Sequence, residues 1–452
     1  MISVLIKFFL WTAYPLIYLF GRALSAVHLP FIKRRENFEL KNFLPASKSF
    51  AEDGLKAHLA FEVSSEGEMQ HILPIVEKAL SSGLLVEIIY CSGSLEHFVT
   101  KFSVRTFAGE VRFLRLPLVT FFPGTFSGLQ RARNPRSWLT ADCFILVRYD
   151  FFPHLIDYGI NCASKSFIVL NASLKSKMKS ISSNPLSKWW WNRFYSEFDL
   201  IVCPSEADSE SFTQLGIESK KIDTSDLRSL QIIDRVKASE SKLESAPHYQ
   251  QILAWLEEAP KSKRVILGSF WPMEAALLSD SDFLSKIEAG EIKVFIAPHS
   301  LGPESIVDVM AELKKVVSSK SIELCILDGK NQEGVISKNS IVIFPYGGFL
   351  CEWYHHFGKA YVGGGHGVSI HSVMEPYWSS CQVFCGPKTH RSTEFDFIKN
   401  QNKDYPVVVG ELSHFYRQAF NDDLEVTGTL NLDQVEKKSA QMVNQIIVWA
   451  GE

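Results

Sequence analysis

Residues 360–376 read AYVGGGHGVSIHSVMEP, and they decide the fold: a short apolar run ends in three glycines and leads into a helical pattern. The spacing predicts a strand that ends at Val362, a tight turn, and a helix that begins near His371 or Ser372. Glycines let a backbone approach a phosphate closely, and a helix N-terminus offers N–H groups to an anion. The segment therefore indicates either the phosphate-binding turn of an α/β fold or a tight strand–helix connection without a ligand.

Short apolar runs alternate with amphipathic stretches on both sides of this segment. The predicted strands are 58–63, 84–90, 111–116, 143–147, 166–171 and 200–203, then 264–267, 294–297, 323–326, 340–344, 360–362, 382–384 and 407–409. Alternation at this spacing predicts parallel sheets with crossover helices. We therefore expect two Rossmann-like, doubly wound α/β domains, 29–238 and 263–431. A polar linker, 239–262, joins them, and a C-terminal helix, 432–452, packs across their junction.

Composition supports a folded globular protein and argues against a disordered chain and a nucleic-acid binder. The chain has 452 residues, which is long enough for two domains, and 46% of them are apolar. A net charge of −3 argues against a nucleic-acid binder. The eight cysteines show no metal-ligand spacing, so we expect free thiols in a reducing compartment and no metal site. The acidic triplet 280–282 (DSD) is interpreted as a helix cap, not as a metal-binding motif.

The N-terminus carries a long apolar run. Residues 2–20 (ISVLIKFFLWTAYPLIYLF) are followed by Arg22 and by the basic cluster 33–35. This pattern predicts a single N-terminal membrane anchor over 1–28, either spanning the bilayer or lying in its interface, with the remainder on the cytoplasmic face. A cleaved signal peptide, with the small residues 23–26 at its cleavage site, is the alternative.

The glycine segment resembles the G-G-G-x-G-x-x-I-H-N-x-x-E-P motif of the 3-deoxy-manno-octulosonate (Kdo) transferases. These are GT-B glycosyltransferases that move Kdo from CMP-Kdo to lipid A precursors. Further segments similar to this family follow its order: SEGEMQ at 65–70, RYDFF at 148–152, NAS at 171–173, SEAD at 205–208, DLR at 226–228, GSFWP at 268–272, APH at 297–299 and GP at 386–387. The resemblance covers essentially the whole chain. It implies two facing Rossmann-like domains behind an N-terminal membrane-anchor helix, at the inner membrane.

The resemblance also implies roles on the acceptor side. Glu68 matches the family's general base, and Asp150 stands where the family has a second carboxylate. The residues expected to bind the acceptor are Ser65, Gly67, Gln70, Tyr149, Asn171 and Arg228. Taken alone, Glu68 also has the interpretation of a first-turn carboxylate favoured by the helix dipole, and Asp150 that of a turn residue at a strand end.

On the donor side, the resemblance places CMP-Kdo against the glycine turn. The residues expected to bind it are Ser269, His299, Gly348, Gly363, Gly364, Gly365, Gly367, His371, Ser372 and Glu375. A carboxylate at Glu375, one turn inside the predicted helix, suits the two hydroxyls of a ribose, and Ser372 is the expected N-cap. His299 taken alone is an ordinary loop residue at a strand end. No cofactor other than the donor is implied.

Three positions depart from the family pattern. Ser372 replaces an asparagine, Phe270 a threonine and Met273 a glutamate, so polar groups expected around the donor are missing. These departures keep two alternatives open. One is a GT-B lipid glycosyltransferase that uses another activated sugar, such as a UDP-hexosamine. The other is a catalytically silent, membrane-bound relative that binds lipid or proteins.

Overall fold

The protein is described here by a computed structural model. It describes residues 2–12, 16, 30–41, 49–102, 109–116, 138–148, 151–174, 184–327, 335–390, 392–420 and 432–451. The chain forms two compact units, Met1–Gln231 with Gln434–Glu452 and Ile232–Asp433.

Two segments expected between the domains fall inside these units. The stretch 239–262, predicted as a linker, lies in the second unit, where it includes the helices Ser239–Leu243 and Tyr249–Glu257. Residues 434–452, predicted to pack across the junction, group with the first unit. The helical character of the C-terminal segment is as expected, with a helix at Leu432–Gly451.

Seven parallel strands form the sheet of the first unit. They are β1 Leu59–Val63, β2 Val86–Tyr90, β3 Val111–Arg115, β4 Cys143–Val147, β5 Ser166–Leu170, β6 Leu200–Cys203 and β7 Ile222–Thr224. Their order is β3-β2-β1-β4-β5-β6-β7, so the direction of winding reverses between β1 and β4. In β1, Leu59 and Phe61 pack into the core on one face and Ala60 into the core on the other. Nearly continuous apolar runs of this kind suit a sheet that helices cover on both faces.

The helices of the first unit surround this sheet. They are α1 Ile2–Trp11, α2 Pro30–Leu40, α3 Glu66–Ser81, α4 Glu96–Phe102, α5 Pro153–Asn161, α6 Pro185–Tyr195, α7 Glu206–Leu215 and the start of α8 Leu227–Lys237, with α17 Leu432–Gly451 and the 3₁₀ helices Phe50–Asp53, Gly93–Leu95 and Ser219–Lys221. Helix α3 shows the pattern: Met69, Ile72 and Val76 recur at helical spacing and are fully buried against the sheet.

The second unit repeats the plan with a different strand order. Its strands are β8 Arg264–Phe270, β9 Lys293–Pro298, β10 Glu323–Ile326, β11 Ser340–Ile343, β12 Lys359–Val362, β13 Gln382–Cys385 and β14 Val407–Val408. They are parallel and lie in the order β10-β11-β9-β8-β12-β13-β14. Winding therefore reverses between β8 and β12. Open parallel sheets bind ligands outside the carboxyl ends of the strands at such a reversal.

The helices of the second unit are mostly short. They are α9 Ser239–Leu243, α10 Tyr249–Glu257, α11 Ser281–Glu288, α12 Pro303–Val317, α13 Leu350–Trp353, α14 Met374–Trp378, α15 Thr393–Gln401 and α16 Phe415–Ala419, with the 3₁₀ helices Lys261–Lys263, Pro272–Leu278, Tyr354–His356 and Leu412–His414. The prediction of two doubly wound parallel sheets is confirmed. Every predicted strand is present, and the structure adds β7, which is three residues long and only half-buried.

The predicted membrane anchor is not seen as a spanning helix. Helix α1 is ten residues long, and residues 1, 13–15 and 17–28 of the expected anchor lie outside the described residues. Within the part of the chain that the structure describes, no helix is both long enough and apolar enough to cross a bilayer.

A buried carboxylate in the first sheet makes the stability of that unit depend on pH. Glu87 in β2 is fully buried, and its two carboxylate oxygens accept hydrogen bonds from Phe50 N and Thr140 N, each at 3.3 Å. Burial raises the pKa of Glu87 from 4.5 to about 7. Because the folded state holds this proton more tightly, the stability that the proton contributes is complete below about pH 4.5 and is lost as the pH rises through about 7.

We expect Glu87→Gln to remove this dependence. Between about pH 5 and about pH 7.5 the free energy of unfolding of the wild type should fall, relative to the variant, by on the order of 1–3 kcal/mol. Urea unfolding at several pH values measures both proteins. Parallel pH profiles for the two would contradict the assignment.

Candidate functional site

In the first unit, the start of α3 stands directly after β1, at the reversal of strand order. Ser65 is the N-cap of α3, and its hydroxyl accepts a hydrogen bond from Glu68 N at 3.3 Å. Glu68 reaches back, and its Oε2 accepts a hydrogen bond from Ser64 N at 2.7 Å. The Glu68 side chain is buried and takes part in a reciprocal cap of the capping-box type. The expected general base therefore has a structural task as well.

A histidine that the sequence analysis missed lies one turn further along α3. His71 is buried, and its Nε2 lies 3.3 Å from Arg148 Nη2 and 3.2 Å from Asn171 Nδ2. Burial and the charges of Arg148 and Arg228 hold the pKa of His71 well below its usual value. His71 is therefore neutral at neutral pH, and its Nε2 accepts from both donors. The spacing of three residues from Glu68 was the sequence signal, because it places both side chains on one side of the helix.

Two of these residues have unusual backbones. Arg148 directly follows β4 with φ 63°, and Asn171 directly follows β5 with φ 53°. Left-handed conformations are uncommon outside glycine and cluster at functional sites. The structure thus brings the predicted acceptor residue Asn171 together with Arg148 and His71 at the carboxyl edge of the sheet.

The remaining predicted residues on the acceptor side are less closely placed. Gln70 is half-buried and Gly67 is exposed, both in the first turns of α3. Arg228 lies in the first turn of α8, where the Asp226 carboxylate accepts a hydrogen bond from its N–H at 3.2 Å. Its charge acts on His71, as described above. Tyr149 and Asp150 lie outside the described residues.

In the second unit, the glycine turn closes tightly on the end of β8. A Cβ on Gly363 would overlap Ser269 O and would lie 2.6 Å from Glu274 Oε2. Gly364 has φ 92°, and a Cβ on Gly365 would lie 2.7 Å from Gly386 Cα. These three glycines are needed for backbone packing, whether or not a ligand binds. Gly367 meets no such close contact.

Several amide groups of the turn already have partners. Gly363 N donates to Gly268 O at 2.9 Å, Gly364 N to Glu274 Oε1 at 2.8 Å, and Gly367 N to Gly364 O at 3.0 Å. These N–H groups are not available to a phosphate in this conformation. Glu274 is a second residue that the sequence analysis missed. Its signal was the spacing of three residues after Trp271, which suits a carboxylate that folds back on a helix start.

The histidines predicted on the donor side lie together beside this turn. The rings of His299 and His371 are 4.5 Å apart between centroids, and His299 stacks on Trp271 at 4.3 Å. Burial lowers the pKa of both histidines, and His299 lowers that of His371 further. His371 N donates to Gly363 O at 3.2 Å. Ser269, with φ 50°, is the next-to-last residue of the neighbouring strand β8.

The helix after the turn differs from the prediction. It begins at Met374, not near His371 or Ser372, and Ser372 is not its N-cap. Instead, Glu394 Oε2 accepts hydrogen bonds from Ser372 Oγ at 2.9 Å, Val373 N at 3.0 Å and Met374 N at 3.3 Å. A carboxylate of the chain itself therefore occupies the position at which the sequence placed a phosphate.

The predicted ribose carboxylate belongs to an ionic network. Arg235 donates to Glu375 Oε1 at 3.4 Å and to the Glu352 carboxylate at 3.0 and 3.3 Å. Lys242 Nζ lies 2.7 Å from the same Glu352 carboxylate, which is fully buried. The Glu375 side chain is 22% exposed, and its contact with Arg235 is the longest of the set. Glu375 therefore keeps a carboxylate at the surface of the unit.

Other residues singled out by sequence lie apart from the turn or have structural roles. Phe270 is fully buried in the core, so its replacement of a threonine does not alter the surface at this position. Met273 is exposed, and Gly348 adopts φ 87° with open space around it. Asp280 caps α11 by accepting hydrogen bonds from Asp282 N and Phe283 N. Among the described residues, no three histidine, cysteine or acidic side chains cluster as a metal site would require.

Similarity to solved structures is weak. The C-terminal CMP-Kdo binding domain of WaaA from Acinetobacter baumannii matches at 13% identity, over 48% of this chain and 97% of that one, with a TM-score of 0.31. A UDP-N-acetylglucosamine 2-epimerase matches at 12% identity, over 87% and 94%, with a TM-score of 0.48. The UDP-GlcNAc 2-epimerase of Neisseria meningitidis matches at 12%, over 86% and 99%, with a TM-score of 0.43. TM-scores below 0.5 do not identify a substrate.

Similarity at the level of sequence families is more specific. No curated protein matches the chain. The family model of the 3-deoxy-D-manno-octulosonic-acid transferases (kdotransferases) matches residues 42–228, a segment that contains all seven strands of the first unit, Glu68 and the His71 cluster. Over residues 42–228, less than half of its length, the chain is therefore similar to the 3-deoxy-D-manno-octulosonic-acid transferase family.

Proposed function

We propose that the chain is an inverting GT-B glycosyltransferase that moves Kdo from CMP-Kdo to a lipid A precursor. The match of residues 42–228 to the family model supports the transferase class. One structural observation carries the proposal further: each sheet gathers its unusual polar groups where its strand order reverses. In the first unit these groups are Glu68 and His71, and in the second they are the glycine turn with His299 and His371.

On the acceptor side, Glu68 is proposed as the base. The hydrogen bond from Ser64 N to one carboxylate oxygen fixes the orientation of the side chain. The carboxylate then takes the proton from a sugar hydroxyl as that hydroxyl attacks the anomeric carbon of the donor. A single displacement of this kind inverts the anomeric configuration. Asp150, which is outside the described residues, remains a proposed second carboxylate.

Two guanidinium groups suit an anionic acceptor. Arg148 and Arg228 both lie close enough to the buried His71 for their charges to lower its pKa. Guanidinium groups bind phosphate and carboxylate through paired hydrogen bonds. We infer that they orient a negatively charged group of the lipid acceptor while Asn171 and Ser65 contribute neutral polar contacts.

On the donor side, the nucleotide is proposed to lie against the glycine turn. Glu375 is then the partner of the ribose hydroxyls, which replace its 3.4 Å contact with Arg235. The imidazoles of His299 and His371 stand next to the turn and are proposed to face the phosphate. The donor itself is the only other reactant, and no cofactor is part of the proposal.

The proposed place of action is the cytoplasmic face of the inner membrane. Helix α6 exposes apolar side chains, with Leu186 78% and Trp189 53% accessible, and Trp190 and Lys188 are also exposed. Tryptophan beside lysine is typical of side chains at the headgroup level of a bilayer. Helix α1 likewise exposes Val4 and Phe8 while Ile2 packs into the core. These surfaces support contact with a membrane.

We expect Glu68→Gln to lower kcat by about 10²–10⁴-fold, because the amide cannot take a proton. The fold should persist, since glutamine also serves this position of a capping box. The assay combines the full chain, a lipid A precursor and CMP-Kdo generated in situ, and the melting temperature reports folding. Glu66→Gln, an exposed carboxylate in the same helical turn, is the control and should keep the wild-type rate.

A rate for Glu68→Gln within about twofold of the wild type would contradict the assignment of the base. Turnover with UDP-sugars but not with CMP-Kdo would contradict the donor. If the wild type neither turns over nor binds any of these nucleotides, the protein is not the proposed enzyme.

The membrane surface predicts a second measurable effect. The double variant Trp189→Ser/Trp190→Ser should lower partitioning onto vesicles that contain anionic phospholipid by on the order of tenfold, because it removes exposed aromatic area. Flotation of full-length protein with such vesicles measures the bound fraction. Val335→Ser, which changes a 95% exposed apolar residue of the second unit, is the matched control. Equal partitioning of the double variant and the wild type would contradict a role for α6.

A further inference from the structure

Beyond the last paired residues, the backbone hydrogen bond from Gly363 N to Gly268 O and the side chain of Glu274 join β8 and the loop after it to the glycine turn. Pairing between β12 and β8 ends at Val362 opposite Gly268. Past that point, Glu274 Oε2 accepts a hydrogen bond from Trp271 N at 2.9 Å, and Glu274 Oε1 accepts one from Gly364 N at 2.8 Å. A single carboxylate thus holds the loop after one strand against the loop after its neighbour.

The Glu274 carboxylate occupies a space that exists because residue 363 is a glycine and has no Cβ. Glu274 is fully buried, and a Cβ on Gly363 would lie 2.6 Å from its Oε2. Ser269, whose carbonyl oxygen would also contact a Cβ on Gly363, adopts φ 50°. Two unusual backbone features therefore accommodate one buried carboxylate.

The two amides that Glu274 holds lie at the ends of a chain of ring contacts. Trp271 stacks on His299 at 4.3 Å between centroids, and His299 lies 4.5 Å from His371. A Cβ on Gly364 would approach the His371 ring at 3.2 Å, so this ring packs on the turn. The two hydrogen bonds of Glu274 therefore contribute to the positions of both imidazoles and of the glycine turn.

Glu274 is costly for stability, which indicates a task other than stabilising the core. Among the described residues it forms no ion pair, and burial raises its pKa to about 7. A buried carboxylate without a cation is disfavoured relative to an apolar side chain of similar size. What it supplies is geometry, because two acceptor oxygens on one rigid group fix the spacing of two backbone amides.

We propose that Glu274 is a positioning residue for the donor nucleotide: by bridging Trp271 N and Gly364 N, it sets the glycine turn and the two imidazoles in the arrangement that receives the nucleotide. The inference rests on the proposed function, because it takes the donor to bind at this reversal of strand order. Glu274 itself does not touch the reacting atoms.

The test compares Glu274→Gln with a matched variant of the other unit. Glutamine offers one acceptor and one donor, so one of the two amides loses its partner and the turn shifts. We expect the Kd of CMP, measured by calorimetry on the full chain, to rise about tenfold or more, and the KM of the donor to rise with it while kcat changes little. Glu87→Gln is the control, because Glu87 is also fully buried, also accepts from two backbone amides and also has a pKa of about 7.

Each outcome decides the inference. If Glu274→Gln binds CMP as the wild type does, the positioning role of Glu274 is wrong, but the proposed function still stands. The same holds if Glu274→Gln and Glu87→Gln lose CMP binding to the same extent. If the wild type binds UDP but not CMP, the proposed donor falls and the same comparison is judged with UDP. If the wild type binds neither, the donor site and the inference both fail. Should Glu274→Gln not fold, Glu274→Asp takes its place, since the shorter carboxylate cannot span both amides.

Discussion

The parallel pairing of β1 with β4 and of β8 with β12 is the constraint on which the rest of the structure depends. Parallel strands put all their carboxyl ends on one edge of the sheet, and at these two pairs the connections leave in opposite directions. At these two positions no crossover connection passes over the carboxyl edge of the sheet, so the edge is open there. Glu68 and Arg148 lie at the first opening, and Ser269 and Gly363 lie at the second.

Both units use the same device to shape their opening. A buried acceptor early in the helix that follows the first strand accepts hydrogen bonds from groups at the carboxyl ends of strands. In the first unit His71 accepts from Arg148 and Asn171. In the second unit Glu274 accepts from Trp271 N and Gly364 N. Such acceptors contribute little to the net free energy of folding, because burying them costs desolvation energy. They do restrict the conformations that the loops can adopt.

The sequence predicted the sheets well because buried parallel strands are continuous apolar runs. It missed Ile222–Thr224, whose three half-buried residues carry too little of that signal. Within the two candidate sites, the sequence predicted some of the residues that matter but not which hydrogen bonds they form. The start of α14 at Met374 depends on Glu394, twenty residues later in the chain, and no local pattern contains that contact. The task of Glu274 likewise depends on Gly364, which is ninety residues away.

The carboxylate of Glu394 has a consequence for the energetics of recognition. By accepting from Ser372 Oγ, Val373 N and Met374 N, it orders the segment behind the glycine turn before any ligand arrives. The loss of conformational entropy in this segment is then part of the folding of the second unit, and association with a ligand does not have to supply it again. A turn prepared in this way favours a rigid, preorganised mode of binding over one in which the loop closes around its ligand.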